Sequence, residues 1–445
     1  MHSADIVVLG GSAAGITAAI TARRHHPDKS ILLVRKEKQV PIPCGIPYIY
    51  GTLGGPEKNL IPDSVLESNK IELVIAEVTR IDREQHRLIT GEDEVRYERL
   101  ILATGSIPTQ PPIPGVDLDG VFAILKDVEH LAHLQQRLKQ ARNIVIIGGG
   151  FIGIEFADEI NKIDSKNVTV LELAAKCLSL SYDVEFCSEM EELLRSRGVT
   201  VRTSATVARI VGHGHVSVVE LKDGTSVPAD LVILGIGAKA NVDLAKEAGL
   251  RLGLTGSVAV DRTMQTSDPA IFACGDCAEK ISFFGGGPSP LKLASIAQLE
   301  ARIAGANVYG LRRESDGTLG GWSTAVGDLA MGTAGLTESM AKDRGYEVVA
   351  GTVETPNRHP GSMPGAAPVK VKLVFEKHSQ VLLGGQVRGS VSVGELINTI
   401  AACVQKRMTA EDIAMFQMGT HPALTASPIA YPLVNAAEVA ISCMQ

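Results

Sequence analysis

Two runs of small residues and one cysteine carry the chemistry that this sequence can do. Gly10-Gly11-Ser12-Ala13-Ala14-Gly15 follows the apolar run Ile6 to Leu9, and Gly148-Gly149-Gly150-Phe151-Ile152-Gly153 follows Ile144 to Ile147. In each, the first glycine permits a tight turn, the second lets a pyrophosphate approach the backbone, and the third lets a helix pack on the preceding strand. The anion then sits at a helix N-terminus. One such run also fits an ordinary strand-to-helix turn, but two in one chain, each after a strand, point to two bound dinucleotides. The expected contacts are Gly10, Ser12, Ala13, Ala14 and Gly15 in the first cradle, where Ser12 replaces the middle glycine. In the second they are Gly148, Gly150, Phe151, Ile152 and Gly153, with a helix beginning near Ile154 and Glu155.

The residues that end the next strands separate the two cradles. The run Val168 to Leu171 ends at Glu172, 19 residues beyond Gly153, where an acid meets ribose hydroxyls and argues for NADH over NADPH. The run Ile31 to Val34 ends instead at Arg35 and Lys36, so the adenosine end of the first site has cations where an acid is usual.

Cys44 lies in Pro41-Ile42-Pro43-Cys44-Gly45-Ile46-Pro47-Tyr48, where Pro47 suits the first turn of a helix. A thiol at a helix N-terminus is favoured as thiolate and becomes a nucleophile at neutral pH. No other cysteine lies in this loop, and position 49 is Ile49, so no disulfide can close within it. A lone thiolate can still cycle through a mixed disulfide, a persulfide or a sulfenic acid. Cys274 and Cys277 have CxxC spacing but read as packing, and His25-His26 and His213-Gly214-His215 lack a four-ligand set, so no metal is expected.

These groups need more than one domain to position them, and 445 residues suit two or three. With 45% hydrophobic and 21% charged residues the chain can build packed cores. A net charge of −7 and 4% aromatics argue against nucleic acid as a partner. No apolar run reaches the roughly 20 residues of a membrane span. No export signal opens the sequence, and seven scattered cysteines are no disulfide framework, so a cytoplasmic protein is expected. The expected class is α/β, with two Rossmann-like dinucleotide-binding domains. From about Val326 the alternating run Val369 to Phe375, the helical run Glu395 to Lys406 and a cap at Thr409 and Asp412 indicate an α+β module.

Taken with Leu100 to Gly105, with Ala270 to Asp276 and with the helix opened by Leu293-Ala294-Ser295, these motifs resemble the pyridine nucleotide-disulfide oxidoreductases over nearly the whole chain. The resemblance implies an FAD-binding domain from residues 1–117 and 247–325, an NAD-binding domain over 118–246 and a dimerisation domain over 326–445. It implies that Ala103, Thr104 and Gly105 lie against FAD, that Asp276 bonds the ribityl chain, that Leu293 and Ala294 sit under the ring, and that Val78 meets the adenine. Gly237 falls on the strand returning from the NAD domain, and Glu155 joins the cofactor-binding set with Arg35 and Lys36.

The phrase Cys44-Gly45-Ile46-Pro47-Tyr48 is most similar to the single-cysteine branch, which contains coenzyme A disulfide reductases, persulfide or polysulfide reductases and NADH oxidases. That branch implies a homodimer reducing a small sulfur substrate with electrons from NADH. An oxidase using oxygen and a flavin redox sensor or partner-binding protein are the alternatives. Arg23 and Arg24 match a basic pair that meets coenzyme A phosphates. His421-Pro422 resembles the pair by which glutathione reductases deliver a histidine across the dimer, a candidate acid for the leaving thiolate.

Overall fold

In the computed structural model, which describes residues 2–91 and 93–444, alternation of apolar side chains builds the first sheet. Strand His2–Leu9 sends Ile6 and Val8 to one face and Val7 and Leu9 to the other, and all four are buried. It runs parallel to Ile31–Arg35 on one side and to Asp93–Leu102 on the other. Glu72–Ile75 extends the sheet beyond Ile31–Arg35, and Ile271–Ala273 joins in parallel beside Asp93–Leu102. Helices Ala13–His25 and Ala294–Asn307 cover the Ile6 face, with Ala18, Ala22, Ala301 and Ala304 in the shared core. Small side chains on both helices let them approach closely.

The chain divides into two compact units. The first holds residues 1–112, 120–141 and 236–318, and the second 113–119, 142–235 and 319–445. In the second unit a parallel sheet runs in the order Thr200–Arg202, Asn167–Leu171, Asn143–Ile147, Leu231–Leu234. A separate antiparallel sheet has the order Gly321–Val326, Leu329–Gly335, Leu382–Gly389, Pro368–Glu376, Val348–Pro356. Helix Val393–Gln405 lies across its Leu329–Gly335 side and helix Pro432–Met444 across its Val348–Pro356 side. This is the expected α+β module. It opens at Gly321, a few residues before 326, and the expected cap is a full capping box in which Thr409 and Asp412 bond each other's backbone N–H.

Two local expectations are corrected. The helix after the second glycine turn starts at Phe151, not near Ile154, because Gly150 is already its extended N-cap. The segment after Cys44 is not an α-helix: Pro43–Gly45 is a 3₁₀ turn and Ile49–Leu53 a single turn of π-helix. Gly54, at φ +82°, ends the segment after one turn by donating its N–H to the Ile49 carbonyl at 3.0 Å. Among the described residues no helix is long and apolar enough to cross a membrane.

Candidate active site

The first glycine turn is built to bring backbone to an anion. Gly10 has φ +118°, and a Cβ there would sit 2.2 Å from the Ala103 carbonyl oxygen, so only glycine fits. Gly15 approaches the Gly10 carbonyl just as closely, which tucks helix Ala13–His25 under the turn. Ser12 is the N-cap and makes no side-chain cap bond, so its hydroxyl does not occupy the first N–H groups of the helix. A Cβ would fill this cradle, and a pyrophosphate fits it.

Ala103 lies against Gly10, and Gly275, which precedes Asp276, lies against Ala14. Ala103 donates its N–H to the Leu9 carbonyl at 2.8 Å, which seats the end of strand Asp93–Leu102 beside Gly10. Thr104 donates its hydroxyl to the Asn241 carbonyl at 2.7 Å, and Asn241 donates its N–H to Gly105 at 2.9 Å. Gly237 accepts the Thr109 N–H at 3.0 Å on the same return path. Val78 buries its side chain in the core while its backbone runs between two strands. Leu293 is the extended N-cap of helix Ala294–Asn307, and both Leu293 and Ala294 are half-buried. The Asp276 carboxylate accepts from the Ser106 hydroxyl at 2.7 Å and from Lys126 at 3.4 Å. Neither Ser106 nor Lys126 carries a sequence signal for this role.

Of the four expected cations, Arg35 and Arg23 are bonded within the fold, while Lys36 and Arg24 stay exposed. Arg35 is buried against Gly11, pairs both terminal nitrogens with Asp63 at 2.7 and 2.8 Å, and donates further to the Glu37 and Lys38 carbonyls. Its charge is neutralised inside the fold, so it braces the turn from beneath. Lys36 stays exposed opposite Glu77. Arg23 donates to four carbonyls, those of Pro27, Lys29, Asn69 and Lys70, and so clamps two loops. Arg24 is exposed.

The second turn repeats the geometry, with Gly148 at φ +111° and Gly153 against the Gly148 carbonyl. The Glu172 carboxylate spans two backbone donors, accepting the Gly149 N–H and the Ala174 N–H at 2.6 Å each. Its orientation is therefore set in advance, and its remaining lone pairs suit a ribose diol. Cys177 is buried beneath: a Cβ on Gly149 would lie 2.5 Å from its Sγ, and burial pushes its thiol up to about 12. Phe151 packs edge-on to Trp322, and Ile152 is exposed on the first turn of the helix. Glu155 accepts the Thr324 hydroxyl at 2.9 Å, and burial pushes its carboxyl up to about 7.

Cys44 is exposed at the centre of its 3₁₀ turn. Asn59, which sequence reasoning missed, holds the loop: its side-chain amide donates to the Ile42 carbonyl at 2.9 Å, and its backbone carbonyl accepts the Ile42 N–H at 2.9 Å. Ile49, five residues beyond Cys44, is fully buried. In the second unit His421 is exposed, and its Nδ1 accepts the Ala423 N–H at 3.2 Å, which puts the ring proton of a neutral imidazole on Nε2. Thr425 brackets its backbone in both directions. His359, also missed, donates its N–H to the Pro422 carbonyl at 3.1 Å and so draws the loops 358–365 and 420–425 together.

Comparison with known proteins agrees with this geometry. Residues 4–301 match the family model of pyridine nucleotide-disulphide oxidoreductases, and residues 323–429 match the dimerisation domain of the same family. The chain is 33% identical over 441 residues to an NAD(P)H coenzyme A polysulfide/persulfide reductase of Pyrococcus horikoshii, covering 98% of each. It is 30% identical over 447 residues to an NADH oxidase of Methanocaldococcus jannaschii, again covering 98% of each. Among solved structures, an NAD-dependent persulfide reductase from A. fulgidus superposes with a TM-score of 0.90 at 31% identity, over 98% of this chain and 83% of that one. The protein, an FAD-dependent oxidoreductase drawing electrons from NAD(P)H, belongs to the pyridine nucleotide-disulphide oxidoreductase family.

Proposed function

We propose that this enzyme oxidises NADH and reduces a low-molecular-weight disulfide, persulfide or polysulfide at Cys44, with FAD at the first glycine turn and NADH at the second. The observation that carries this reading is the single exposed thiol in the first unit, with no other cysteine in its loop. For a disulfide the balance is NADH + RSSR′ + H⁺ giving NAD⁺ + RSH + R′SH. The Cys44 thiolate attacks one sulfur, forms a mixed disulfide and releases the other sulfur as thiolate. FAD, when bound, supplies the chemistry that carries two electrons from the nicotinamide to that sulfur. His421 is the proposed proton donor to the leaving thiolate, with its ring proton on Nε2.

The match to a dimerisation domain supports a homodimer, in which His421 serves the partner's Cys44. None of the seven cysteines is in a disulfide, which fits a reducing, cytoplasmic setting. Similarity to persulfide reductases and to NADH oxidases leaves one decisive comparison. Anaerobic NADH consumption should be fast with coenzyme A disulfide, coenzyme A persulfide or polysulfide. Turnover with oxygen alone would replace the sulfur reading by the oxidase reading.

A further inference from the structure

A buried ion pair lies under the turn that carries Asp276, and nothing in the proposed chemistry uses it. Lys280 and Glu300 are each only 3% exposed. Lys280 Nζ donates to the Gly275 carbonyl at 2.7 Å, to the Ala278 carbonyl at 3.1 Å and to Glu300 Oε2 at 3.2 Å, which accounts for all three of its protons. The same Glu300 oxygen accepts the Gly275 N–H at 2.8 Å. Both backbone polar groups of Gly275 are thus held by the pair, one by each member. The lysine also ties the two ends of the turn, Gly275 and Ala278, on either side of Asp276. Gly275 has φ +76°, and a Cβ there would lie 2.8 Å from the Ala14 Cβ, so the turn is wedged against the start of the first glycine helix.

Burying two charges here is costly, and an apolar pair of equal volume would pack as well. Burial pushes the Glu300 carboxyl up to about 7 against the opposing pull of Lys280, a sign of that cost. What an apolar pair could not do is bind a carbonyl and an N–H of one residue at once. We infer that Lys280 and Glu300 are positioning residues for Asp276, fixing the Gly275–Cys277 turn so that its carboxylate is presented to the FAD ribityl chain. This rests on the reading that Asp276 contacts FAD.

The test follows FAD release from purified holoenzyme by the rise of flavin fluorescence, with the melting temperature recorded alongside. Asp276→Asn should release FAD about tenfold faster or more, as expected for a lost charge-assisted hydrogen bond. Lys280→Met should release FAD about tenfold faster in the wild-type background but should add less than about twofold in the Asp276→Asn background, because coupled residues are not additive. Lys280→Arg, which keeps a cation and several donors, should recover part of the wild-type rate. Should Lys280→Met fail to fold, Glu300→Gln is read in the same cycle. Effects that multiply independently of Asp276, or wild-type release in the folded variants, would overturn the positioning role while leaving the Asp276 reading intact. Wild-type release from Asp276→Asn would overturn that reading and the inference together.

Discussion

The Thr324 hydroxyl donates to Glu155 Oε1 at 2.9 Å, from the first strand of the C-terminal sheet to the helix that follows the second glycine turn. Burial outweighs that bond and holds the carboxyl up at about 7, with Glu159 on the same helix adding to the rise and the buried phenol of Tyr182 close by. An unfolded glutamate titrates near 4.5, so between about 4.5 and 7 only the folded chain keeps this proton. Stability from this group is therefore full below that window and falls as pH rises through it, by about 3 kcal/mol in all. Urea midpoints of Glu155→Gln and wild type should diverge from pH 5 to 8, with the variant gaining. A difference that does not change with pH would refute this. Thr324→Val removes a donor to the charged form and should move the wild-type inflection to higher pH.

Glu172 should set the choice between the two nicotinamide cofactors. Its carboxylate is aimed by the Gly149 and Ala174 N–H groups and would repel a 2′-phosphate. Wild type should have the higher kcat/KM with NADH. Glu172→Ala should narrow the ratio of NADH to NADPH by about tenfold, in line with the loss of one charged interaction. Steady-state kinetics with both cofactors decide it, and an unchanged ratio would assign the ribose contact to another residue.

Gly149 should tolerate no side chain while Cys177 lies beneath it. The added methyl of Gly149→Ala would meet the Cys177 Sγ at 2.5 Å and Glu172 Oε2 at 3.0 Å. The variant should raise the KM for NADH, and Cys177→Ala in the same chain should recover much of the loss by removing the sulfur. Recovery absent from the double variant would show that contact with Glu172 dominates.

Cys44→Ser should keep its FAD and its reduction by NADH in stopped flow yet lose turnover with disulfide or persulfide, since the glycine turns are untouched. Wild-type turnover in that variant would end the sulfur hypothesis. His421→Ala should lose roughly 10²-fold, most with poor leaving thiolates. Normal rates across pH would remove only the proposed acid.

Asn59 should matter to the same step without touching sulfur. Asn59→Ala removes the amide that bonds Ile42 and should slow sulfur turnover while leaving FAD content and NADH reduction near wild type. Equal rates for the variant and wild type would mean that the prolines alone hold the Cys44 loop.

The sequence by itself determined the features that depend on neighbours in the chain. Both glycine turns, the strands before them, Glu172 at a strand end and the Thr409–Asp412 capping box follow from spacing over a few residues to about twenty, because turns, strand periodicity and caps are local backbone physics. Tertiary structure alone decided what the charged residues do. Arg35 stands at the expected cofactor position, but a carboxylate 28 residues away buries and neutralises it. Arg23 shares a helix with the first cradle, yet backbone carbonyls from a distant loop take its donors. Thr324 meets Glu155 across 169 residues, and Asn59 holds the Cys44 loop across 17. Such pairs leave no period or motif behind: a buried donor needs an acceptor within about 3 Å in space, and any stretch of chain that folds to that point can supply it.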